Sequence, residues 1–288
     1  MRTRKTSCVL VLMSGLLVMQ TTAAAPNKTK VQSPRCAVNQ QQINDNNNLL
    51  LLGGTAKGPM KQFIVGEFGK DVDQQKRLLG KFDRCGVLTQ ADISYDKQDA
   101  NTRLKLDMKI ERVKVGWQAR YDITVYALRD NAEAVLHHKQ GTTLYFSGRN
   151  GSITSASEQF VMQGEDGFTE TVNDYDRRGR LIRSVARGTD GSSNGEYVYR
   201  WNEKNQLLTS GSERSTIQWN YDKQGRELGV NISEYNPFSA TTTLDVCQLW
   251  DERGNCTLSY SREMEVSAVG MYRRNIAAAS RYEYWDQP

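Results

Sequence analysis

Leu104, Leu106, Met108 and Ile110 alternate with Arg103, Lys105, Asp107, Lys109 and Glu111. Successive side chains of a strand point to opposite faces, so this stretch predicts a half-buried β-strand with one charged, wetted face. A helix would scatter Leu104 and Leu106 onto different faces. Tyr121, Ile123 and Val125 continue the alternation, and the charged outer face would discourage edge-to-edge association.

The second half is punctuated by a repeat. Tyr175-Asp176-Arg177-Arg178-Gly179-Arg180-Leu181 has the form aromatic-Asp-x-x-Gly-x-Leu. Tyr221-Asp222-Lys223-Gln224-Gly225-Arg226-Glu227-Leu228 matches it, with the leucine slipped by one, and Trp250-Asp251-Glu252-Arg253-Gly254-Asn255-Cys256 ends on cysteine. Trp201-Asn202-Glu203-Lys204-Asn205-Gln206-Leu207 carries two Asn substitutions, and Phe82-Asp83-Arg84-Cys85-Gly86-Val87-Leu88 is an earlier copy. From position 175 the aromatics fall 26, 20 and 29 residues apart, the length of a strand pair with its connections.

Turn chemistry explains the motif. Asp or Asn opens a type I turn by accepting bonds from amides just ahead, and Gly, or Asn205, takes the left-handed conformation that closes a bulged hairpin. In that register Tyr175 faces Leu181, Trp201 faces Leu207 and Phe82 faces Leu88. The expected fold is therefore all-β: an extended, twisted antiparallel sheet or open barrel-like wrap of repeated hairpins. It forms one domain over residues 55–288, because each hairpin needs neighbours to bury its face.

Before it, residues 26–54 read as a polar, irregular arm rich in Asn and Gln, pinned at Cys36. Residues 1–25 read as a secretory signal: Arg2, Arg4 and Lys5, an apolar stretch from Cys8 to Met19, then Ala23-Ala24-Ala25, with cleavage expected after Ala24. No run reaches the roughly 18 apolar residues of a membrane-spanning helix, so no transmembrane anchor is expected. The chain is assigned to the periplasm or the exterior. Without the leader it carries 35 basic against 33 acidic residues, so the formal charge of +5 falls to +2. Such near-neutrality gives no electrostatic case for nucleic acid.

Export turns Cys36, Cys85, Cys247 and Cys256 into disulfide candidates with three possible connectivities. Proximity favours Cys247–Cys256, leaving Cys36–Cys85. A regular hairpin would hold the first pair beyond the roughly 7 Å reach of a bridge, so that pairing requires an irregular Trp250 hairpin.

The repeat copies resemble YD repeats, the hairpin units of RHS-type proteins. Together with Gly58-Pro59-Met60-Lys61-Gln62-Phe63 and the Cys247…Cys256 segment, the chain resembles the YnfC-type family of enterobacterial envelope lipoproteins over residues 55–285. That family resembles lipoproteins with a cysteine at the cleavage point, whereas here Ala23-Ala24-Ala25-Pro26 stands there. The resemblance implies an envelope location and supplies no catalytic residues.

Candidate chemistry is sparse. His137 and His138 are adjacent, so on a strand they point apart and cannot share one metal. No nucleophile-elbow, zinc-protease or phosphate-loop motif is present. Gly188 to Gly195 reads as a hairpin tip, and Arg177, Arg178, Arg180, Arg183 and Arg187 read as a solvated face. Neither catalytic residues, nor a cofactor, nor a metal site is expected. Tyr197, Tyr199, Trp201, Trp219 and Tyr221 offer a possible binding surface for sugar rings or a partner, weighed against a place in the core. The function read from these features is a non-enzymatic periplasmic β-protein that binds a protein or envelope glycan through a sheet face or edge. An envelope hydrolase or lyase built from turn carboxylates, and an accessory or immunity protein for a contact-dependent toxin, are the alternatives.

Overall fold

A computed structural model of the chain describes residues 36, 40–51, 56–69, 73–98, 101–129, 132–235, 239–267 and 270–285. The expected leader at 1–25 lies outside them. One helix, α1 (Gln40–Leu50), precedes the strands. The first eight strands are β1 (Met60–Gly69), β2 (Asp73–Phe82), β3 (Leu88–Gln98), β4 (Thr102–Val113), β5 (Gly116–Arg129), β6 (Ala132–Ser147), β7 (Ile153–Met162) and β8 (Glu165–Tyr175). They are followed by β9 (Leu181–Gly188), β10 (Gly195–Trp201), β11 (Leu207–Gly211), β12 (Ser215–Tyr221), β13 (Glu227–Tyr235), β14 (Ser239–Trp250), β15 (Cys256–Ser267) and β16 (Gly270–Tyr284).

Every strand pairs antiparallel with its chain neighbours, and β1 also pairs with β16, closing a barrel of sixteen strands. The all-β expectation is met, but the open or extended wrap is not. The repeat specifies turns and the pairing across them, whereas the closing seam joins residues such as Phe63 and Tyr282, far apart in sequence and without a shared motif. Closure also removes the free sheet edge that was a candidate binding element. Past the seam, the Trp285 amide donates to Pro59 O at 2.9 Å and its indole Nε1 donates to Asp83 O at 2.8 Å.

All five motif copies lie at one end of the barrel. Phe82 pairs with Leu88, Tyr175 with Leu181, Trp201 with Leu207, Tyr221 with Glu227 and Trp250 with Cys256, each beside a register shift. In the Tyr175 turn, Asp176 Oδ1 accepts from the Arg178 and Arg180 amides at 2.8 and 3.0 Å. Gly179 closes that turn at φ 75°, and Asn205 takes the same place in its own copy at φ 60°. A further turn of this geometry, unmarked by an aromatic-Asp pair, joins Ser147 to Ile153 with Asn150-Gly151 at its tip.

The four motif rings that carry a donor also tie their hairpins to the one before. Trp201 Nε1 donates to Leu181 O at 2.7 Å, Tyr221 Oη to Leu207 O at 2.9 Å, and Trp250 Nε1 to Glu227 O at 2.8 Å. Tyr175 does the same to Ile153 O at 2.8 Å, and Trp117 Nε1 to Leu88 O at 2.8 Å. Bulges take backbone groups out of the ladder, and a buried carbonyl needs a partner. The rings provide one while keeping their apolar bodies inside.

The helix completes the same accounting. Within the segment expected to be an irregular arm, Gln40–Leu50 is helical, with Asp45, Asn46 and Asn47 buried. Asn46 Oδ1 accepts from the Ile153 amide at 3.0 Å, and Asp45 Oδ2 from the Leu181 amide at 2.9 Å. These are amides of bulge residues, so a polar helix face is what this interior requires. On its apolar side Ile43, Leu50 and Leu51 join a core with Phe63, Leu88, Ile110 and Ile153.

Both disulfides of the expected pairing form: Cys36–Cys85 with Cα atoms 5.4 Å apart and Cys247–Cys256 at 5.9 Å. The irregularity the second one requires is present as two successive register shifts between Cys247 and Trp250. On β4 the expected faces hold: Leu104, Leu106, Met108 and Ile110 pair on the inside with Val125, Ile123, Tyr121 and Ala119. Outside, Arg103 pairs with Asp96 at 2.7 Å and Arg120 with Glu111 at 3.0 Å. No described helix is long and apolar enough to cross a membrane. The outer wall of β3 to β5 is charged, whereas other strands expose apolar side chains, among them Phe168, Val172, Leu244 and Val266.

Candidate ligand-binding cavity

Sixteen strands enclose more space than one helix fills. Between α1 and the inner wall of β10 to β16 lies a cavity of about 300 Å³, at the lower end of the range for small-molecule sites. Rings, amides and carboxyl groups line it, together with Lys57 and aliphatic side chains such as Val65, Leu207 and Leu258. Trp201, Trp219, Tyr221 and Tyr282 give ring faces; Gln41, Asn44, Asn48, Asn205, Gln206 and Asn255 give amides; Asp45, Glu227 and Asp245 give carboxyl groups.

The placement follows from local rules. Trp219 and Tyr221 alternate inward on β12, opposite Val230 and Glu227. Asp245 faces Val230 from the other side, so β12, β13 and β14 present rings and acids in adjacent rows. The leucine slip in the third repeat copy decides what stands at its centre. The hairpin register does not slip with it, so Glu227 takes the inward place that leucine holds in the Tyr175 and Trp201 copies, and Leu228 is displaced into the bulge.

This environment shifts the acids. Burial pushes Asp45 up to about 6 against the opposing bonds from the Leu181 amide and Gln41. Glu227 is pushed up to about 7, first by burial and then by the charge of Asp245, with Lys57 acting weakly the other way. Asp245 Oδ1 accepts from the Ser261 hydroxyl at 2.6 Å. Lys57, at the mouth, donates its ammonium to Gly225 O at 2.7 Å.

The aromatic residues singled out in the sequence all point inward. Trp201, Trp219 and Tyr221 line this cavity, Tyr199 lines a second one, and Tyr197 packs beside Tyr199 with ring centroids 5.5 Å apart. They form no outward platform; what they present, they present to the interior. The second cavity, about 360 Å³, holds Lys139 between Glu158 at 3.2 Å and Asp190 at 3.0 Å, over the Phe160 ring. Asp190 comes from the Gly188 to Gly195 connection, which thus turns a carboxylate into the barrel rather than ending as a bare tip. His137 faces inward opposite Val125, while His138 lies outside, 3.1 Å from Asp122. Among the described residues no group of three potential ligands could hold a metal ion.

Sequence reasoning missed Glu227, Asp245 and the α1 residues. A signal for Glu227 existed: it is the acid standing where the other copies carry Leu or Cys. Asp45 had none, because nothing local tells a buried polar helix from a solvated arm.

No family model matches the sequence, and no curated protein matches it. Among solved structures the chain is similar to a porin-like protein from Bacteroides uniformis, with TM-score 0.40 and 8% identity, over 79% of this chain and 98% of that one.

Proposed function

We propose that this barrel is an exported binding protein that takes an envelope saccharide into the cavity between α1 and β10 to β16. One observation carries this reading: ring faces, side-chain amides and carboxyl groups share a single cavity. Sugars offer apolar C–H faces that stack on rings and hydroxyls that bond to amides and acids, and few other small envelope molecules need both at once. The volume suits a ligand of roughly one or two rings. Two disulfides in the folded unit fit an oxidising compartment, in keeping with the expected leader.

The test is a fluorescence and calorimetric titration of the full chain with a panel of short N-acetylglucosamine and glucosamine oligomers and other envelope sugars. Binding is expected to shift tryptophan emission, and Trp219→Ala is expected to weaken it about tenfold or more, with the far-ultraviolet spectrum unchanged. A panel that leaves both emission and heat flat would sink the reading. Glu227 and Asp245 face the same cavity, and two carboxyl groups flanking the scissile bond are what glycoside hydrolysis uses. The same incubations, analysed for cleaved sugar, distinguish binding from turnover.

A further inference from the structure

The inner wall treats its acids in two ways. Away from the exposed rims, the shielded carboxylates of the barrel interior have cation partners: Glu67 with Lys76 at 2.9 Å, Glu158 and Asp190 with Lys139, and Glu263 and Glu265 with Arg274 at 2.6 and 2.8 Å. Three cavity acids, Glu227, Asp245 and Asp45, form no ion pair among the described residues, and Asp245 accepts one hydrogen bond, from Ser261 at 2.6 Å. Asp45, the third acid there, is committed to the Leu181 amide and Gln41 at 2.9 and 2.7 Å. The one ammonium lining the cavity, on Lys57, donates to Gly225 O and forms no ion pair with Glu227, on which its charge acts as the last of three causes.

We propose that the ligand of this cavity carries a cationic amine, seated against Glu227 and Asp245 and the faces of Trp219 and Tyr221. This rests on the saccharide reading above and narrows it to an amino sugar with a free amine. The register supports it: Tyr221 stands directly across from Glu227, and Trp219 is separated from Asp245 only by Val230. Both kinds of group attract the same charge, since a ring face and a carboxylate each stabilise a nearby ammonium, more so out of bulk water. A neutral sugar would satisfy the rings and amides while leaving the Asp245 charge that acts on Glu227 uncompensated. An ammonium offsets that charge, which after burial is the second cause of the raised Glu227 value.

The experiment compares, on the wild-type full chain near neutral pH, a glucosamine disaccharide, its N-acetylated counterpart and a simple alkylammonium. The free amine is expected to bind about tenfold tighter than the acetylated sugar, and the advantage is expected to vanish in Glu227→Gln combined with Asp245→Asn. Equal or tighter binding of the acetylated sugar overturns the amine proposal and leaves the saccharide reading standing. Binding of the alkylammonium but of neither sugar supports the charge and overturns the saccharide. Binding of none of the three overturns both. Because the decisive comparison is between ligands on the unaltered protein, misfolding of the double variant cannot mask the outcome.

Discussion

At the scale of single residues, the hairpin turns divide the work between one acceptor and one permissive backbone. Gly179 at φ 75° has open space where a Cβ would point, with only the Gln42 amide nearby at 3.9 Å, so Gly179→Ala tests conformation alone. It is expected to lower stability by about 1–2 kcal/mol in urea denaturation. Asn205→Gly, at the equivalent place, is expected to leave stability unchanged or raise it by up to about 1 kcal/mol. The pairs across these turns were legible because register follows from a local turn. The bonds from the Trp and Tyr rings to the preceding hairpin were not: Trp201 reaches Leu181 only once β9 and β10 lie side by side.

The elements differ in how far their sequence speaks for them. Strand β4 announces both its faces, since alternation and burial coincide. Helix α1 announces neither, because its buried side answers backbone groups exposed by bulges about a hundred or more positions away. Its attachment can be measured. The Cys36–Cys85 bridge, spanning 49 positions, ties the chain ahead of α1 to the β2–β3 turn, whereas Cys247–Cys256 spans only 9 within one hairpin. Loop-closure entropy gives about 4 kcal/mol for the first and about 3 kcal/mol for the second. Paired Cys→Ser variants are therefore expected to lose more stability at 36 and 85 than at 247 and 256, read from denaturation midpoints. The longer bridge is also the one whose loss should leave α1 less protected in hydrogen exchange.

For the whole molecule, stability depends on two opposed sets of carboxyl groups. Asp45 and Glu227 are raised to about 6 and about 7 by burial, so between ordinary carboxylate values and those limits the folded chain holds protons the unfolded chain has lost. Stability from these groups is present at low pH and falls as pH rises toward 7. Asp96, held low by the Arg103 hydrogen bonds, behaves oppositely: its contribution is present above pH 4 and is lost in stronger acid. A maximum between about pH 4 and 6 is expected. Glu227→Gln should flatten the fall from pH 5 to pH 8 by on the order of 2 kcal/mol, seen in urea titrations at the two pH values. If the variant keeps the wild-type slope, Glu227 is not the group responsible.

The join between β1 and β16 gives this architecture an order of assembly. Every other strand meets its partner across a short connection, so a growing chain can zip up two strands at a time with little entropy to overcome. The final pairing, Phe63 with Tyr282 and its neighbours, cannot form until Tyr282 itself has been made. Until then the nascent ribbon carries two raw borders able to recruit a second copy of itself. A chain stopped before Gly270 would stay in that state, expected as sedimenting oligomers in place of a monodisperse product, and the late latch of Trp285 onto Asp83 is what retires the hazard.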